Sequence, residues 1–537
     1  MLFALQLLIV FVAAQQIAKP GGAARPVIAF ENIHVVDVKT GELTRNQVII
    51  VENGLITDIG DKGSVSVPDN AAVKDLDGLY VVPGFWDMHV HISRPTLAYS
   101  GPMMAMHGVF NVRNMSGDCV GQSCGFRYTA DEYREIDTRV RNGALLAPKT
   151  ISLGSYTVHG PHAAFGDRNY PHEPGFLVPQ TPEEAKQLVA YLKNRRVDFL
   201  KPYNTLQPKV YETLARESKA GGLPLEGHVP KSLTLMQALK AGQRTIEHAR
   251  MLPIACSNQS KIYASDYKSW IAGPAHAEGP SLVKYYPQLL EGFDEEACTD
   301  VLKVWARTGA YYVPTHLTRR HDIRIFKRPF LTDPRAAYIP DLVINMGWEG
   351  EASSYEKTYK ESPDLLDASI GFYELGVALT GRAHAAGVKV LVGTDTGDTL
   401  IYPGASFHDE MSIYADAGLP PADILKAATI DAARYAGLEG VAGALQAGHA
   451  GELVFLKDNP LDDIAHTRSI EALYFQERFY DADARRAVMD NIASRTGGLG
   501  QFLTVGWIFQ TRLLPALVFG DGADGAFDGA DACSGHN

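Results

Sequence analysis

The chain has 537 residues, of which 46% are hydrophobic and 21% are charged. This length is too great for one small core and indicates a large domain with a smaller companion. The composition is typical of soluble globular proteins. The formal net charge of −12 argues against a general nucleic-acid binder, because contacts with phosphates need basic patches.

The N-terminal stretch MLFALQLLIVFVAAQQ predicts a signal peptide over residues 1–22. Small residues follow the apolar run, as they do before a cleavage site, and the run is too short to span a bilayer comfortably. No Lys or Arg precedes it, so an uncleaved anchor and a misplaced start codon are the alternatives. We therefore expect an exported protein, periplasmic or extracellular.

Residues 26–82 and 437–490 are predicted to form one small β-sandwich from both flanks of the chain. Stretches such as VIAFENIHVVDV and NQVIIVENGLITDIG are rich in β-branched residues and contain turn signals such as TGE and ENG. The same character returns near the other end, in GELVFLKDNP and IEALYFQERFYD. A long middle region separates the two flanks.

Within the stretch FWDMHVHI, two histidines lie on one side of a predicted strand. Side chains alternate along a strand, so His89 and His91 share a face, with Asp87 two residues earlier on the same face. Two imidazoles on one rigid face suit a divalent metal such as zinc. An isolated H-x-H, however, is more often a surface or hydrogen-bonded pair, so the rest of the chain has to decide.

Residues 83–436 alternate strand-like and helix-like segments. Helical patterns such as TPEEAKQLVAYLKNRR lie between several of the strand candidates and end in basic residues or Gly. The eight strand candidates are FWDMHV, GVFNVRNM, KTISLGSYTV, VDFLKPY, LPLEGHV, RTIEHA, AYYVPTH and VKVLVGTDT. This alternation predicts an α/β fold of the (β/α)8 TIM-barrel type, in which reactive groups lie at the C-terminal ends of the strands.

Polar side chains stand at the ends of five predicted strands and would converge on one rim. They are His89 and His91 at strand one, Lys201 at strand four, His228 at strand five, His248 at strand six and Asp395 at strand eight. Histidines scattered through a core have no reason to occupy strand ends in this way. Taken together, the set predicts a metal site.

The five cysteines suggest two disulfides in an exported protein. We expect Cys119 to pair with Cys124 and Cys256 with Cys298, which leaves Cys533 unpaired. The alternative is five unrelated free thiols. A cysteine-based zinc site is not expected, because the sequence contains no C-x-x-C.

Two long segments are predicted to lie over the rim, where such loops shape specificity or close a site. They are 253–300, after strand six, and 317–370, after strand seven. Other polar residues at strand ends or on the following loops are candidate substrate contacts, although residues of this kind are more often structural or lie at the surface. They are His159, His162, His172, His316, His408, Arg319 and Arg320.

Residues 491–537 are predicted to be a partly disordered C-terminal extension. Its apolar part, LTVGWIFQTRLLPALVF, contains Arg512 and Pro515, which favours a packed or peripheral helix over a membrane span. A low-complexity stretch, GDGADGAFDGADACSGHN, follows it. Membrane association is therefore expected only through the termini.

The motifs resemble those of the amidohydrolase superfamily, above all its imidazolonepropionase-like and Xaa-Pro-dipeptidase-like members. The resemblance spans roughly residues 26–485. It rests on PGFWDMHVH, FLKPYN, EGHVP, TIEHA, VGTDTG, LPPADILKAATIDAARYAGL and GHAGELVFLKDNPLDDI.

The resemblance implies a binuclear metal centre, with two Zn²⁺ as the expected ions and their identity open. His89 and His91 would bind one ion with Asp395, and His228 and His248 would bind the second. A carboxylated Lys201 would bridge both ions, because an ammonium has no lone pair to offer a cation. An unmodified lysine beside a single metal is the alternative.

The expected reaction is hydrolysis of an amide, cyclic amide or related carbon–nitrogen bond by a metal-activated water, with Asp395 as general base and then acid. An Xaa-Pro-type dipeptidase is the narrower alternative, and a catalytically inactive ligand-binding barrel is the alternative from another class. The expected partner is a small-molecule or dipeptide substrate rather than nucleic acid. Whether the chain forms a homo-oligomer is left open.

Overall fold

The computed structural model describes residues 27–115, 117–119, 124, 127–160, 177–273 and 279–497. Several predictions fall outside these residues. They concern the signal peptide, His162, His172, Cys533 and nearly all of the C-terminal extension.

The strands alternate with helices only in the middle of the chain. In chain order they are β1 (Ile28–Asp37), β2 (Glu42–Glu52), β3 (Leu55–Asp61), β4 (Ala72–Asp75), β5 (Tyr80–Pro83), β6 (Phe85–Val90), β7 (Val109–Asn114), β8 (Lys149–Val158), β9 (Phe199–Pro202), β10 (Glu226–Gly227), β11 (Thr245–Glu247), β12 (Tyr311–Val313), β13 (Lys389–Val390), β14 (Leu453–Leu456), β15 (Ile470–Phe475) and β16 (Arg478–Tyr480).

The described α-helices lie mostly between and after the middle strands. They are α1 (Arg94–Met106), α2 (Ala130–Arg141), α3 (Pro182–Lys193), α4 (Pro208–Gly221), α5 (Leu235–Ala241), α6 (Met251–Ala255), α7 (Ser260–Ala272), α8 (Tyr286–Glu291), α9 (Glu295–Thr308), α10 (His316–Asp322), α11 (Glu349–Glu361), α12 (Pro363–Ala385), α13 (Ala405–Asp416), α14 (Pro421–Ala427), α15 (Ile430–Tyr435) and α16 (Ala482–Thr496).

Local sequence accounts for the ends of the helices after the strands. Thr129 and Glu132 form a capping box at the start of α2, and Thr181 caps α3 by accepting a hydrogen bond from the Glu184 N–H. Gly242 ends α5 in the left-handed conformation. These short-range signals explain why helical segments could be recognised in the sequence.

The two flanks of the chain, which were predicted to form one β-sandwich together, build one sheet. Its strand order is β16-β15-β14-β5-β1-β2-β3, with β4 alongside β1. The flanks meet where β5 pairs antiparallel with β14, in a register that places Val81 opposite Phe455. Phe30 packs between the flanks, with its ring centre 4.9 Å from that of Phe455 and 5.3 Å from that of Tyr474. The predicted two-layer sandwich is not confirmed, because these strands form a single branched sheet.

All eight strands predicted for the middle region are present. They form two parallel sheets of four strands, β6-β7-β8-β9 and β10-β11-β12-β13. Single parallel bridges join the outer strands, between Leu200 and Leu225 and between Val90 and Thr396. The strands β10 and β13 are only two residues long, so the pairing between the two sheets is reduced to these bridges.

The described parts of the long segments after strands six and seven are folded and anchored. Cys256 and Cys298 form a disulfide across the first segment, and Cys119 pairs with Cys124, as predicted. The second segment packs its buried Trp348 with Tyr99 of α1 and Ile492 of α16.

The helix α16 continues past residue 490, where the C-terminal extension was predicted to begin. Its Thr496 hydroxyl donates to the carbonyl oxygen of Ala337, at 2.8 Å. The other predicted domain limits stay predictions. Among the described residues, no helix has both the length and the apolar character needed to cross a bilayer.

Candidate functional site

The six residues predicted as metal ligands lie at the C-terminal ends of the middle strands. His89 and Lys201 lie within β6 and β9, whereas His91, His228 and His248 directly follow β6, β10 and β11, and Asp395 lies five residues beyond β13. Five of the six are at most 6% exposed, and the His91 side chain is 11% exposed. The sequence therefore places buried polar groups where parallel strands end, as in sites built on α/β folds.

The Asp395 carboxylate lies at the centre of three imidazoles. Its Oδ1 is 3.3 Å from Nε2 of His89 and 3.0 Å from Nε2 of His91, and its Oδ2 is 3.7 Å from Nδ1 of His248. Burial opposes ionisation, but the neighbouring histidines hold the pKa of Asp395 well below its usual range. At neutral pH the carboxylate is therefore ionised and able to act as a ligand or a base.

The donor set fits a metal ion. Nε2 of His89 and Oδ1 of Asp395 are both buried, and neither has a hydrogen-bond partner among the described residues. Ligand atoms of His89, His248 and Asp395 also lie within 4.8 Å of one another. Buried polar atoms are nearly always partnered, so two unsatisfied atoms 3.3 Å apart point to a shared cation.

His228 and His248 form a second pair of candidate ligands, with their Nε2 atoms 2.8 Å apart. Nδ1 of His248 lies 2.7 Å from the Thr315 hydroxyl, and Nδ1 of His228 lies 2.8 Å from Oδ1 of Asn204. If His228 donates to Asn204, its Nε2 carries a lone pair that is available to a cation.

Arg250 competes for the same nitrogen, because its Nη2 lies 2.6 Å from Nδ1 of His228 and 3.0 Å from Oδ1 of Asn204. Nδ1 of His228 cannot donate to Asn204 and accept from Arg250 at once. Metal binding through Nε2 requires the first arrangement, with Arg250 donating to Asn204 alone.

Three residues at these strand ends have positive φ angles that favour glycine. The values are +65° for Asp395, +67° for His248 and +42° for Thr315. Such conformations cost roughly 1–3 kcal/mol each and persist where the surroundings impose them, often at functional sites. Two of the three strained residues are candidate ligands, and the third contacts one of them.

Lys201 is 2% exposed and acts electrostatically on His91, His159 and His228. Its charge is the largest cause after burial that lowers the pKa of His91 to about 3. Gly227 makes room for it: a Cβ at that position would lie 3.1 Å from Cγ of Lys201, and the glycine φ is +147°. The glycine of the EGH motif thus lets the lysine chain approach strand β10.

A buried ion network behind the ligands was missed by the sequence analysis. Oε2 of Glu247 lies 2.7 Å from Nδ1 of His89, and Oε1 lies 2.8 Å from Nη2 of Arg113. Arg113 also donates to Glu226 at 3.0 Å. Burial opposes it, but Arg113 and His89 keep the pKa of Glu247 below its usual range. The available signal was three charged residues inside predicted strands, because buried charges have to pair.

Asp87 lies on the predicted face, but its carboxylate is bonded mainly to the segment after β13. Its carboxylate accepts hydrogen bonds from the Thr394 N–H at 3.0 Å, the Thr394 hydroxyl at 2.6 Å and the His89 N–H at 3.2 Å. Burial raises its pKa to about 7. Asp87 therefore ties β6 to the segment that carries Asp395.

The other candidate substrate contacts divide into two groups. His159 is buried near the site, with Nδ1 2.9 Å from the Thr205 hydroxyl and a pKa lowered to about 3 by burial, Lys231 and Lys201. His316 and His408 instead bond to Thr380 and Thr467, at 3.0 and 2.9 Å. Both contacts fit the structural role that the sequence analysis favoured for these two histidines.

The two arginines after strand seven also differ. Nη1 of Arg319 lies 2.8 Å from Oδ2 of Asp322 and is buried, whereas Arg320 lies 3.8 Å from Asp409 and is 28% exposed. Only Arg319 acts on the buried residues near the site, since its charge lowers the pKa of Arg250 and of Lys231.

A small cleft of about 30 Å³ opens beside His91. Its walls come from α1, the segment 339–348 and the loop after β13, and they include Tyr99, Ile339, Trp348 and Ile401. Polar side chains, among them Thr96, Ser100 and Asp398, line the same cleft, so its walls are of mixed polarity.

The chain is similar to known proteins in sequence and in structure. The profile described as "Amidohydrolase family" matches residues 80–479. Ochratoxinase of Aspergillus niger is 20% identical over 473 residues, covering 79% of this chain and 80% of that protein. Dihydroorotase of Pelobacter propionicus is 35% identical, but the match covers only 16% of this chain and 20% of the dihydroorotase.

Solved structures share the fold. "AH, Bottromycin amidohydrolase" superposes with a TM-score of 0.66 at 20% identity, covering 91% of this chain and 94% of the other. A Xaa-Pro dipeptidase with bound methionine in the active site superposes with a TM-score of 0.57 at 16% identity, covering 85% and 100%. At these identities the likeness concerns the fold alone.

Proposed function

The chain belongs to the amidohydrolase family, as its motifs predicted, and on that premise we propose that it is a metal-dependent hydrolase of carbon–nitrogen bonds. The observation that carries the proposal is the Asp395 carboxylate within 3.7 Å of three buried imidazoles, with two ligand atoms left without hydrogen bonds. The substrate is proposed to be an amide or a cyclic amide.

The fold behind this proposal is a closed (β/α)8 barrel. The two four-stranded parallel sheets are its halves, and the bridges Leu200–Leu225 and Val90–Thr396 are its two seams. Closure would bring the C-terminal ends of all eight strands to one rim. The convergence of His89, Lys201 and Asp395 from distant strands supports it.

His89, His91 and Asp395 would hold one divalent ion and His228 and His248 another, and a carboxylated Lys201 would offer its oxygens to both. Two Zn²⁺ are the expected ions. When bound, the divalent ions supply Lewis acidity, which makes the attacking water acidic and stabilises charge on the substrate oxygen.

The chain's own residues orient the ligands and move the proton. Glu247 fixes Nδ1 of His89, at 2.7 Å, so that Nε2 keeps its lone pair towards Asp395. Asp395 is held ionised and takes the proton of the attacking water, then passes it to the leaving nitrogen. The neutral form of Lys201 is the one that reacts with CO₂, and its burial favours that form.

A catalytically inactive binding barrel is the weaker proposal, because the chain retains every one of the six predicted ligands. An Xaa-Pro-type dipeptidase remains the narrower version of the same activity. Export also stays a proposal, which the disulfides Cys119–Cys124 and Cys256–Cys298 support, since disulfides persist in oxidising compartments.

The direct test is a hydrolysis screen of the zinc-loaded protein against N-acyl amino acids, X-Pro dipeptides and cyclic amides, with metal content measured on the same sample. We expect about two ions per chain and turnover of at least one class. Asp395→Asn is the matched control for contaminating hydrolases. Bound metal near zero, or equal turnover by Asp395→Asn, would contradict the proposal.

A further inference from the structure

Three large apolar side chains lie exposed on the segment after β12. They are Leu331, Val343 and Met346, which are 69%, 36% and 47% exposed. Single exposed apolar residues are ordinary on a protein surface, whereas a group of them marks an interaction site. Among the described residues, no other stretch as short as 331–346 exposes three such side chains. We refer to these three side chains as the apolar surface 331–346.

Other side chains of this region are buried and hold the surface in place. Phe330, Ile339 and Trp348 belong to one buried cluster, which also contains Ile492 of α16. The ring centres of Phe330 and Trp348 lie 5.9 Å apart. The exposed side chains are therefore carried by a packed part of the fold.

The last described residues of the chain lie against the same region. The Thr496 hydroxyl donates to the carbonyl oxygen of Ala337 at 2.8 Å, and a Cβ placed on Gly497 would lie 4.0 Å from Oδ2 of Asp341. Asp341 precedes Val343 by two residues, so their Cα atoms are at most about 8 Å apart. The chain that follows Gly497 therefore starts beside the apolar surface.

The sequence continues with an apolar segment, 503–519, which reads LTVGWIFQTRLLPALVF. From Gly497 to Leu503 the chain spans at most about 20 Å, because each residue adds no more than about 3.6 Å. A short tether of this kind gives the segment an effective concentration of roughly millimolar at the surface. In dilute solution a second copy of the chain is far less concentrated, so the segment of the same chain is favoured.

A lipid bilayer is a poorer partner for the segment 503–519. Arg512 stands near the middle of the segment, where a charge is costly inside a membrane. On a protein surface, the same side chain can cover apolar atoms with its stem and keep its guanidinium in water. The composition of the segment therefore also favours docking on protein.

The charge of the next stretch, 520–537, favours the same face of the molecule. Three guanidiniums approach the Asp409 carboxylate, at 3.8 Å for Arg320, 2.7 Å for Arg335 and 2.8 Å for Arg468. Asp333, which also pairs with Arg335, leaves this group with three cations and two anions. The stretch 520–537 contains four aspartates and no Lys or Arg, so it is attracted to these cations.

We propose that the segment 503–519 docks on the apolar surface 331–346 of its own chain. The driving force is the removal of apolar side chains from water on both sides of the contact. Because Val343 also lines the cleft beside His91, the docked segment lies at the edge of that cleft. The inference does not depend on the reaction that the candidate site catalyses.

The first test places the photoreactive residue p-benzoylphenylalanine at Met346 of the full chain. After irradiation, mass spectrometry should find crosslinks to residues 503–519, roughly tenfold more often than from the same residue placed at Val441. Val441 is the matched control, because it is 52% exposed but lies between α15 and β14. Mixing chains of two isotopic compositions distinguishes a crosslink within one chain from a crosslink between two copies.

Crosslinks from Met346 to 503–519 within one isotopic composition support the proposal. Crosslinks that join the two compositions would assign the surface to a second copy of the chain. Crosslinks to residues 1–22 would assign it to the other apolar terminus. Either result, or a yield to 503–519 no higher than from Val441, would overturn the proposal.

Hydrogen exchange on the full chain gives an independent measurement. Trp507→Asp combined with Leu514→Asp should speed the exchange of the amides of 331–346 by roughly tenfold or more, because the charged side chains oppose docking. Ala523→Asp combined with Ala526→Asp is the matched control and adds the same charge outside the segment. The amides of β1 and β2 should keep their rates, which excludes global unfolding. Unchanged exchange of 331–346 in the first variant would overturn the proposal.

Discussion

Oε2 of Glu247 lies 2.7 Å from Nδ1 of His89, although the two residues are 158 positions apart in the chain. The contact fixes the ring of a candidate ligand from the side opposite Asp395. A carboxylate on the second nitrogen of a ligating histidine orients the ring and raises its basicity.

Glu247→Gln should therefore weaken metal binding by roughly 10- to 100-fold. Metal affinity is measured by competition with a chelator of known affinity. Glu226→Gln is the control, because Glu226 is also buried and bonds to Arg113 at 3.0 Å. Equal losses in the two variants would show that Glu247 acts through Arg113 rather than through His89.

His228→Ala should lower the bound metal and the activity sharply, because it removes one of two nitrogens that face each other at 2.8 Å. Elemental analysis of the purified variant gives the stoichiometry. His408→Ala is the matched control: that histidine is as buried, but it bonds to Thr467. Full metal content in His228→Ala would remove His228 from the ligand set.

Asp395→Asn should fold but lose more than the roughly 10²–10⁴-fold in kcat that is typical of a general acid–base group. Asn keeps the size and one oxygen, but it cannot accept a proton at neutral pH, and it weakens the ion contacts with His89 and His91 as well. Near-wild-type kcat at full metal loading would place the base elsewhere.

Lys201→Ala should lose both activity and binuclear occupancy, and a short carboxylic acid such as propionate should partly restore both by filling the bridge with two oxygens. Lys201→Arg should not be rescued, because its guanidinium stays charged. Electron density is the suitable observable for the carbamate, because acid releases CO₂ during mass spectrometry. An unmodified Lys201 directed away from bound metals would refute the bridge.

Deprotonation of His321 should lower the free energy of unfolding as the pH rises into the alkaline range. Burial opposes the charge, but Glu351 and Asp322 raise the pKa of His321 from 6.5 to about 10. The stabilisation that charged His321 gives is fully present below the pKa of histidine in the unfolded chain. It is lost as the pH rises through the pKa of His321 in the folded protein. Each pH unit between the two pKa values corresponds to about 1.4 kcal/mol.

The measurement for His321 is the unfolding temperature between pH 6 and pH 10. His321→Gln should flatten this dependence, because it removes the group whose charged form Glu351 and Asp322 stabilise. An unchanged slope in His321→Gln would mean that the ion pairs with Glu351 and Asp322 do not form in solution.

The sequence by itself determined the parts that local pattern encodes. Alternation along FWDMHVHI put His89 and His91 on one face, and the structure brings both within 3.3 Å of Asp395. The helical pattern TPEEAKQLVAYLKNRR is present as α3, which Thr181 caps. The eight middle strands were recognisable because apolar runs and turn residues act over a few positions.

Tertiary structure alone decided which distant groups meet. Nothing local pairs Glu247 with His89, joins Arg113 to Glu226, or turns His316 and His408 away from the site. Such contacts depend on how strands and helices pack, and burial then makes each charge require a partner. The single branched sheet of the flanks has the same origin, since the pairing of β5 with β14 joins segments more than 360 residues apart in the chain.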